Sequence, residues 1–304
     1  MAAPSKKKAS AGHKLGQLIG DWLEEFFVFP LLNQVAETLH LFLDARFVER
    51  PARGEKIVWQ DEEGNSVDYD FVLELDGSRD RIGVPVAFLE CCWRRGARHS
   101  KDKARDDAGK LLPMKNVYPT ARFLGMIWAG ICTEPARELI RSRSIDLFYI
   151  PKEKIIDAFE RNGLIMDYPD KTPEFDKLML ASSFETNLTT KKRKDVADTL
   201  MELVGKAAMT AYIDLVRARL SALPQEIRIV LRHESAPLTF VSTEEVRSFL
   251  EQPSFQMNYP IESYVYQATY SDGAEFEKVV DSMAALKTIN GQVERLANHV
   301  KCLP

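Results

Sequence analysis

Two carboxylates and a run of cations set the chemical question in this chain. In VAFLECCWRR, residues 86–95, strand alternation puts Val86, Phe88, Glu90 and Cys92 on one face and Ala87, Leu89, Cys91 and Trp93 on the other. Glu90 therefore lies on an otherwise apolar face, where a carboxylate costs free energy unless a cation, a metal ion or hydrogen bonds meet it. Asp70 opens the apolar part of the preceding strand-like stretch, VDYDFVLEL. Antiparallel neighbours can bring such acids close together, and like charges then repel unless a divalent cation lies between them. Hard oxygen donors at a strand edge suit Mg²⁺, which takes one or two protein carboxylates and completes its shell with water and substrate phosphate. Such an ion activates a water and neutralises charge on a phosphate being displaced. Each acid also has a plainer reading: Asp70 could end a turn, with Asp68 as its competitor, and Glu90 could pair with Arg94 or Arg122.

The cations follow directly. Between Cys91 and Arg122 nine Lys/Arg stand against three acids, although the whole chain carries a net charge of only -4. A localised basic patch on an acidic protein is what a polyanion-binding site requires, and a solvated helix face would look the same. Arg94, Arg95, Arg98, His99, Ser100, Lys101 and Arg105 are the candidates for holding phosphates or reaching base edges. KKRK at 191–194 reads as a solvated helix start, with phosphate contact the alternative.

These residues need a scaffold, and the pattern predicts one. Residues 1–13 read as a flexible basic tail. Leu15, Leu18, Ile19, Trp22, Leu23 and Phe26 form one helical stripe, and Leu31, Leu32, Val35, Leu39 and Phe42 a second after Pro30, which predicts a kinked helical entry. EKIVWQDEEGNSVDYDFVLELDG predicts a hairpin turning at Gly64-Asn65, and VPVAFLECCW a third strand completing a meander. Ser100 can cap a helix with Ala104, Ala108, Leu111 and Leu112 inward, ending near Pro113. Strand 121–130, helix EPARELIRS, strand IDLFYIP and helix KEKIIDAFER come next, and the step from the third strand through the 100–112 helix to strand 121–130 reads as a βαβ unit. Residues 163–189 read as an irregular connector. A single long helix from Lys191 to Leu220 follows, then strands EIRIVLR and PLTFVS, a short helix from Thr243, strand ESYVYQATY, and a last helix capped by Ser271 or Asp272. The expected fold is α/β (α+β), a mixed central sheet flanked by helices, with a core at 14–185 and a C-terminal α+β extension at 186–304.

Composition narrows the class. The chain has 304 residues, 45% of them hydrophobic, enough for a full core. No apolar run approaches the roughly 18 residues of a membrane span, and MAAPSKKKASAGHK lacks the apolar segment of a secretory signal, so a cytoplasmic protein is expected. Cys91, Cys92, Cys132 and Cys302 show no CxxC or zinc spacing, and reduced, mostly buried thiols are expected.

DYDFVLEL followed by PVAFLECCWRR, in the order helix, meander, helix, strand, resembles the PD-(D/E)xK nuclease superfamily, to which most type II restriction endonucleases belong; the likeness covers roughly residues 14–160. It implies a restriction-endonuclease-like core, with Asp70 and Glu90 binding Mg²⁺ (or Mn²⁺) and a lysine polarising the attacking water. The family's lysine two residues after the acid is here Cys92, and a neutral thiol cannot replace an ammonium. The family tolerates migration of this lysine to the following helix, where Lys103 is the choice and Lys101 the alternative. Many members add an acid from the N-terminal helix. Glu25, at the edge of the first apolar stripe, is preferred to Glu24 opposite it and to Glu37, which faces away from its own stripe. The resemblance thus implies a metal-dependent DNA endonuclease of the restriction type, a hydrolase of bacterial defence acting as a homodimer on double-stranded DNA. A defence or repair nuclease for modified or single-stranded DNA, a catalytically inactive DNA-binding protein on the same scaffold, and an α/β protein unrelated to nucleic acid are the rivals.

Overall fold

A computed structural model describes residues 11–231, 237–252 and 263–303. Residues 1–10 of the expected basic tail, and the outer ends of two expected strands, Arg232 and Glu262, lie outside them; the last three tail residues, Ala11–His13, are instead the first turn of a helix. Helix α1 (Ala11–Trp22) buries Leu15, Ile19 and Trp22 of the predicted stripe and leaves Leu18 half-buried at its edge. A π-helical turn (Leu23–Val28) then leads into α2 (Phe29–Thr38), the Phe29 N–H reaching back to the Glu24 carbonyl. Pro30, which cannot donate to a carbonyl one turn back, directly follows, so the expected kink takes the form of a widened turn.

The α2 helix ends earlier than its stripe suggests. His40 adopts a positive φ of 50°, and the Leu41 N–H returns to the Ala36 carbonyl, a left-handed cap that releases the chain into a strand. Phe42 therefore belongs to β1 (Phe42–Ala45) and not to the helix. The predicted hairpin forms, but as a separate two-stranded sheet of β2 (Ile57–Gln60) and β3 (Ser66–Tyr69), with Gly64 at φ 80° in its turn. The chain breaks at Asp70, and β4 (Phe71–Leu75) pairs with β1 instead. The core meander is thus β1, β4 and β5 (Val84–Arg94), all antiparallel.

Strand β5 is buried from Pro85 to Cys92, so both of its faces are covered. Helix α3 (Ser100–Val117) continues past Pro113 and leads to β6 (Phe123–Gly130). The Arg122 N–H donates to the Val86 carbonyl and the Ile131 N–H to that of Arg94, an advance in the same direction along both strands, so β6 runs parallel to β5. Gly130, at φ 99°, permits this: a Cβ there would lie 2.1 Å from the Arg94 carbonyl oxygen. Helix α4 (Glu134–Ser142) and the parallel strand β7 (Asp146–Pro151) complete a five-stranded mixed sheet in the order β1-β4-β5-β6-β7, followed by α5 (Lys152–Arg161).

Three expectations for the C-terminal half are corrected. The connector contains α6 (Glu174–Asn187), whose Ala181 and Phe184 are buried. The long helix is two, α7 (Thr190–Val204) and α8 (Lys206–Leu220), separated by Gly205 at φ 93°. After β8 (Pro224–Leu231), β9 (Leu238–Phe240), α9 (Thr243–Leu250) and β10 (Tyr264–Tyr270), residues Ser271–Gly273 form a turn into β11 (Glu275–Val280) and do not cap a helix. The last helix, α10 (Met283–Lys301), is capped by the Ser282 hydroxyl, which accepts from the Ala285 N–H at 3.2 Å. These strands form an antiparallel sheet, β11-β10-β8-β9, over a core that includes Ile227, Ile229, Tyr266 and Leu286.

By compactness the chain divides into one unit of Met1–Asn33, Glu90–Asp107 and Gly125–Ile213 and another of Gln34–Leu89, Ala108–Leu124 and Asp214–Pro304. Among the described residues no helix is long and apolar enough to cross a membrane.

Candidate functional site

The first unit holds a compact group of reactive side chains. Glu90 is 2% exposed on β5, and Cys92, two residues on and facing the same way, is buried too. Helix α3 then begins at Ser100, just after His99 at φ 60°. The helix turns Ala104, Ala108, Leu111 and Met114 fully inward. Lys103 and Asp107 flank this stripe one turn apart, and the Lys103 Nζ donates to Asp107 Oδ1 at 2.6 Å. Asp107 is buried, while about a third of the Lys103 side chain reaches solvent, 33%.

The electrostatics follow from burial and these neighbours. Burial opposes the charge on Lys103, but the carboxylate of Asp107, with Glu90 adding to it, more than compensates, so the amine's pKa is raised. Burial pushes the Cys92 thiol well above its ordinary range, and Asp107 pushes it further despite Lys103. The group thus offers a fixed ammonium, buried carboxylates and a neutral thiol. It can orient or polarise a water and hold charge near a phosphate; it cannot use Cys92 as a thiolate nucleophile.

Several expected residues are placed elsewhere or already engaged. Asp70 is half-buried just before β4, whose ladder with β5 ends at the pair Phe71↔Leu89. The π-helical turn rotates the two helix acids away from the expected facing: Glu24 is buried, whereas Glu25 is exposed beside Arg193, at 3.8 Å. Arg95 is held by Asp167 and Asp170 and lies over the Tyr168 ring at 4.1 Å. Arg105 pairs with Asp102, which also meets His99. Ser100 is buried, its hydroxyl accepting from the Thr133 N–H at 3.2 Å. Arg98 and Lys101 are exposed, and Arg94 donates to the Arg98 carbonyl at 2.9 Å. Arg122 stacks on Tyr270 and pairs with Asp272 in the second unit, which gives it a structural partner other than Glu90. Asp107 was not anticipated, although the spacing Lys103-x-x-x-Asp107 beside an apolar stripe is a readable signal.

Among the described residues no three or more His, Cys, Asp or Glu side chains are grouped so as to hold a metal ion. The acids of interest are hard oxygen donors, the type that Mg²⁺ accepts singly or in pairs. No family model, curated protein or solved structure matches the chain.

Proposed function

We propose that the chain is a metal-dependent DNA endonuclease, hydrolysing phosphodiester bonds in the manner of restriction enzymes. The observation that carries this reading is the position of Lys103. The residue two after Glu90 is Cys92, which cannot supply a cation, and α3 brings an ammonium to the charge neighbourhood of Glu90. The strand order supports it as well: a helical entry, the antiparallel strands β1, β4 and β5, then α3 and the parallel β6.

In this proposal Glu90, with Asp70 as the resemblance implies, would hold Mg²⁺ or Mn²⁺, which when bound would supply Lewis-acid charge to the phosphate and lower the pKa of water. Lys103 orients the attacking water and stays protonated, so it acts as a cation and not as a proton acceptor. Asp107 positions that amine. The substrate is DNA, engaged through the basic segment Arg94–Arg105, and a homodimer would supply one site per strand of a duplex.

The test is cleavage of mixed plasmid and genomic DNA with Mg²⁺, with EDTA, and with Glu90→Ala and Lys103→Ala. Fragments that require the metal and fall roughly 100-fold or more in both variants are expected. Salt-sensitive DNA binding without cleavage would instead favour the inactive scaffold, and cleavage that survives Lys103→Ala would remove the lysine from its role.

A further inference from the structure

Beyond Glu90 and Cys92, the same strand runs into a cavity of about 520 Å³ in the first unit, within the size range of small-molecule sites. Its floor is apolar, from Leu15 and Ile19 of α1 and Met166, and its wall includes the half-buried Trp93. Arg94 and Arg98 lie at its rim, and none of the described carboxylates lines it.

Three features point to a ligand. The Trp93 indole stacks on no described aromatic ring, and its N–H donates to no described acceptor. The Arg98 side chain makes no hydrogen bond or ion pair with the described residues, and Arg94 spends one donor on a carbonyl, leaving most of its five N–H groups available. Arg95, by contrast, is neutralised by Asp167 and Asp170 and fixed over Tyr168, so it builds the wall and leaves the rim charges to its neighbours. Gly16 faces the cavity with nothing within 4 Å of the Cβ it lacks.

A flat heterocycle against an indole, with an anion on two arginines, is the chemistry of a nucleotide. We infer that this cavity takes one unstacked nucleotide of a DNA strand, its base against Trp93 and its phosphate on Arg94 and Arg98. The inference rests on the nuclease reading and narrows its substrate to DNA with a base out of the stack, either single-stranded or flipped from a duplex. Arg94 is four residues beyond Glu90, about 13 Å along an extended strand, so a nucleotide held here would place a phosphate a few positions away at Glu90.

The experiment compares binding of a thymidine hexanucleotide and an abasic deoxyribose-phosphate chain of equal length, in EDTA so that no hydrolysis occurs, read by tryptophan fluorescence and calorimetry. The hexanucleotide should bind about tenfold or more tightly. Gly16→Leu, which fills the cavity, should bring its affinity down to that of the abasic chain, while Gly16→Ala stays near wild type; thermal melting checks that both are folded. Arg98→Gln should weaken both chains alike. Equal binding of the two chains by the wild type, or a base preference that survives Gly16→Leu, would overturn the inference. If the base preference and the Gly16→Leu effect hold but no DNA is cut with Mg²⁺, the cavity stands and the nuclease reading fails. Cleavage without base preference would leave the nuclease reading standing and overturn the nucleotide cavity.

Discussion

Two regions of this molecule are built from the same materials, buried carboxylates around a cation, and they differ in how completely the cation is used. In the second unit Arg50 is fully enclosed: its Nη1 and Nη2 meet Glu74 at 2.7 Å each, Nη1 also meets Asp44 at 2.7 Å, and the remaining donors go to the carbonyls of Ser78 and Arg81. Arg53 closes the other side of Asp44, and the Gly83 N–H caps Glu74 at 2.7 Å. Every donor of that guanidinium has an acceptor, so nothing remains to act on a ligand. In the first unit Lys103 makes one short bond, to Asp107, feels the Glu90 charge, and keeps a third of its surface in water. A saturated network locks β1 to β4; an unsaturated one keeps a cation open to water.

Mutation should separate the two. Arg50→Met leaves Asp44 and Glu74 buried without their shared cation and is expected to cost about 3–5 kcal/mol, measured by urea unfolding. Lys103→Met leaves one buried carboxylate near water and should cost about 1–3 kcal/mol; under the nuclease proposal it should also remove cleavage under conditions where the variant is folded. Equal losses of stability would dissolve the distinction. The conservative Lys103→Arg should recover stability without full activity, because a planar fork does not reproduce a compact ammonium.

Much of the scaffold was legible in the sequence because periodicity reports burial. The α3–β6–α4–β7–α5 succession and the inward stripe of α1 are read from apolar spacing alone. What escaped was decided by single backbone positions and by tertiary pairing. His40 and Gly205 end helices through positive φ, and the outer partner of β4 is the four-residue β1, too short for its alternation to stand out. In the candidate site Glu90 and Lys103 were readable as an acid on an apolar face and a cation beside one. On the N-terminal helix the burial of Glu24 was not readable, since a π-helical turn changes the phase that a 3.6-residue period assumes. Nor was the Arg50 network, whose acids lie in strand patterns that otherwise look apolar.

Of the two cations, Lys103 is the one whose charge a practical pH range can reach. A raised amine pKa means that the Lys103 contribution is fully present below the unfolded value near 10.5 and is lost only as pH rises through the folded one. The stability difference between wild type and Lys103→Met should therefore stay flat from neutral pH to about 10 and shrink above it. A difference that closes between pH 6 and 8 would mean that the amine is neutral in the folded state, contrary to its bond to Asp107 and the added pull of the Glu90 charge.

The smallest effect concerns the thiol beside that lysine. If Cys92 is a neutral filler where the resemblance expects a cation, it should be inert in the native protein. Burial raises its pKa and pushes Cys132 up to about 11, whereas Cys302 is exposed. Only the thiolate reacts, and access gates the reaction. A disulfide reagent at pH 8 should thus modify Cys302 promptly and Cys91, Cys92 and Cys132 only on unfolding, with all four cysteines titrating in denaturant. Cys92→Ser should leave this native count unchanged and, under the nuclease proposal, alter cleavage little. Fast native labelling of Cys92 would show that water and reagent reach the floor of the site, and the contrast with the sealed Arg50 network would then lie in access more than in charge.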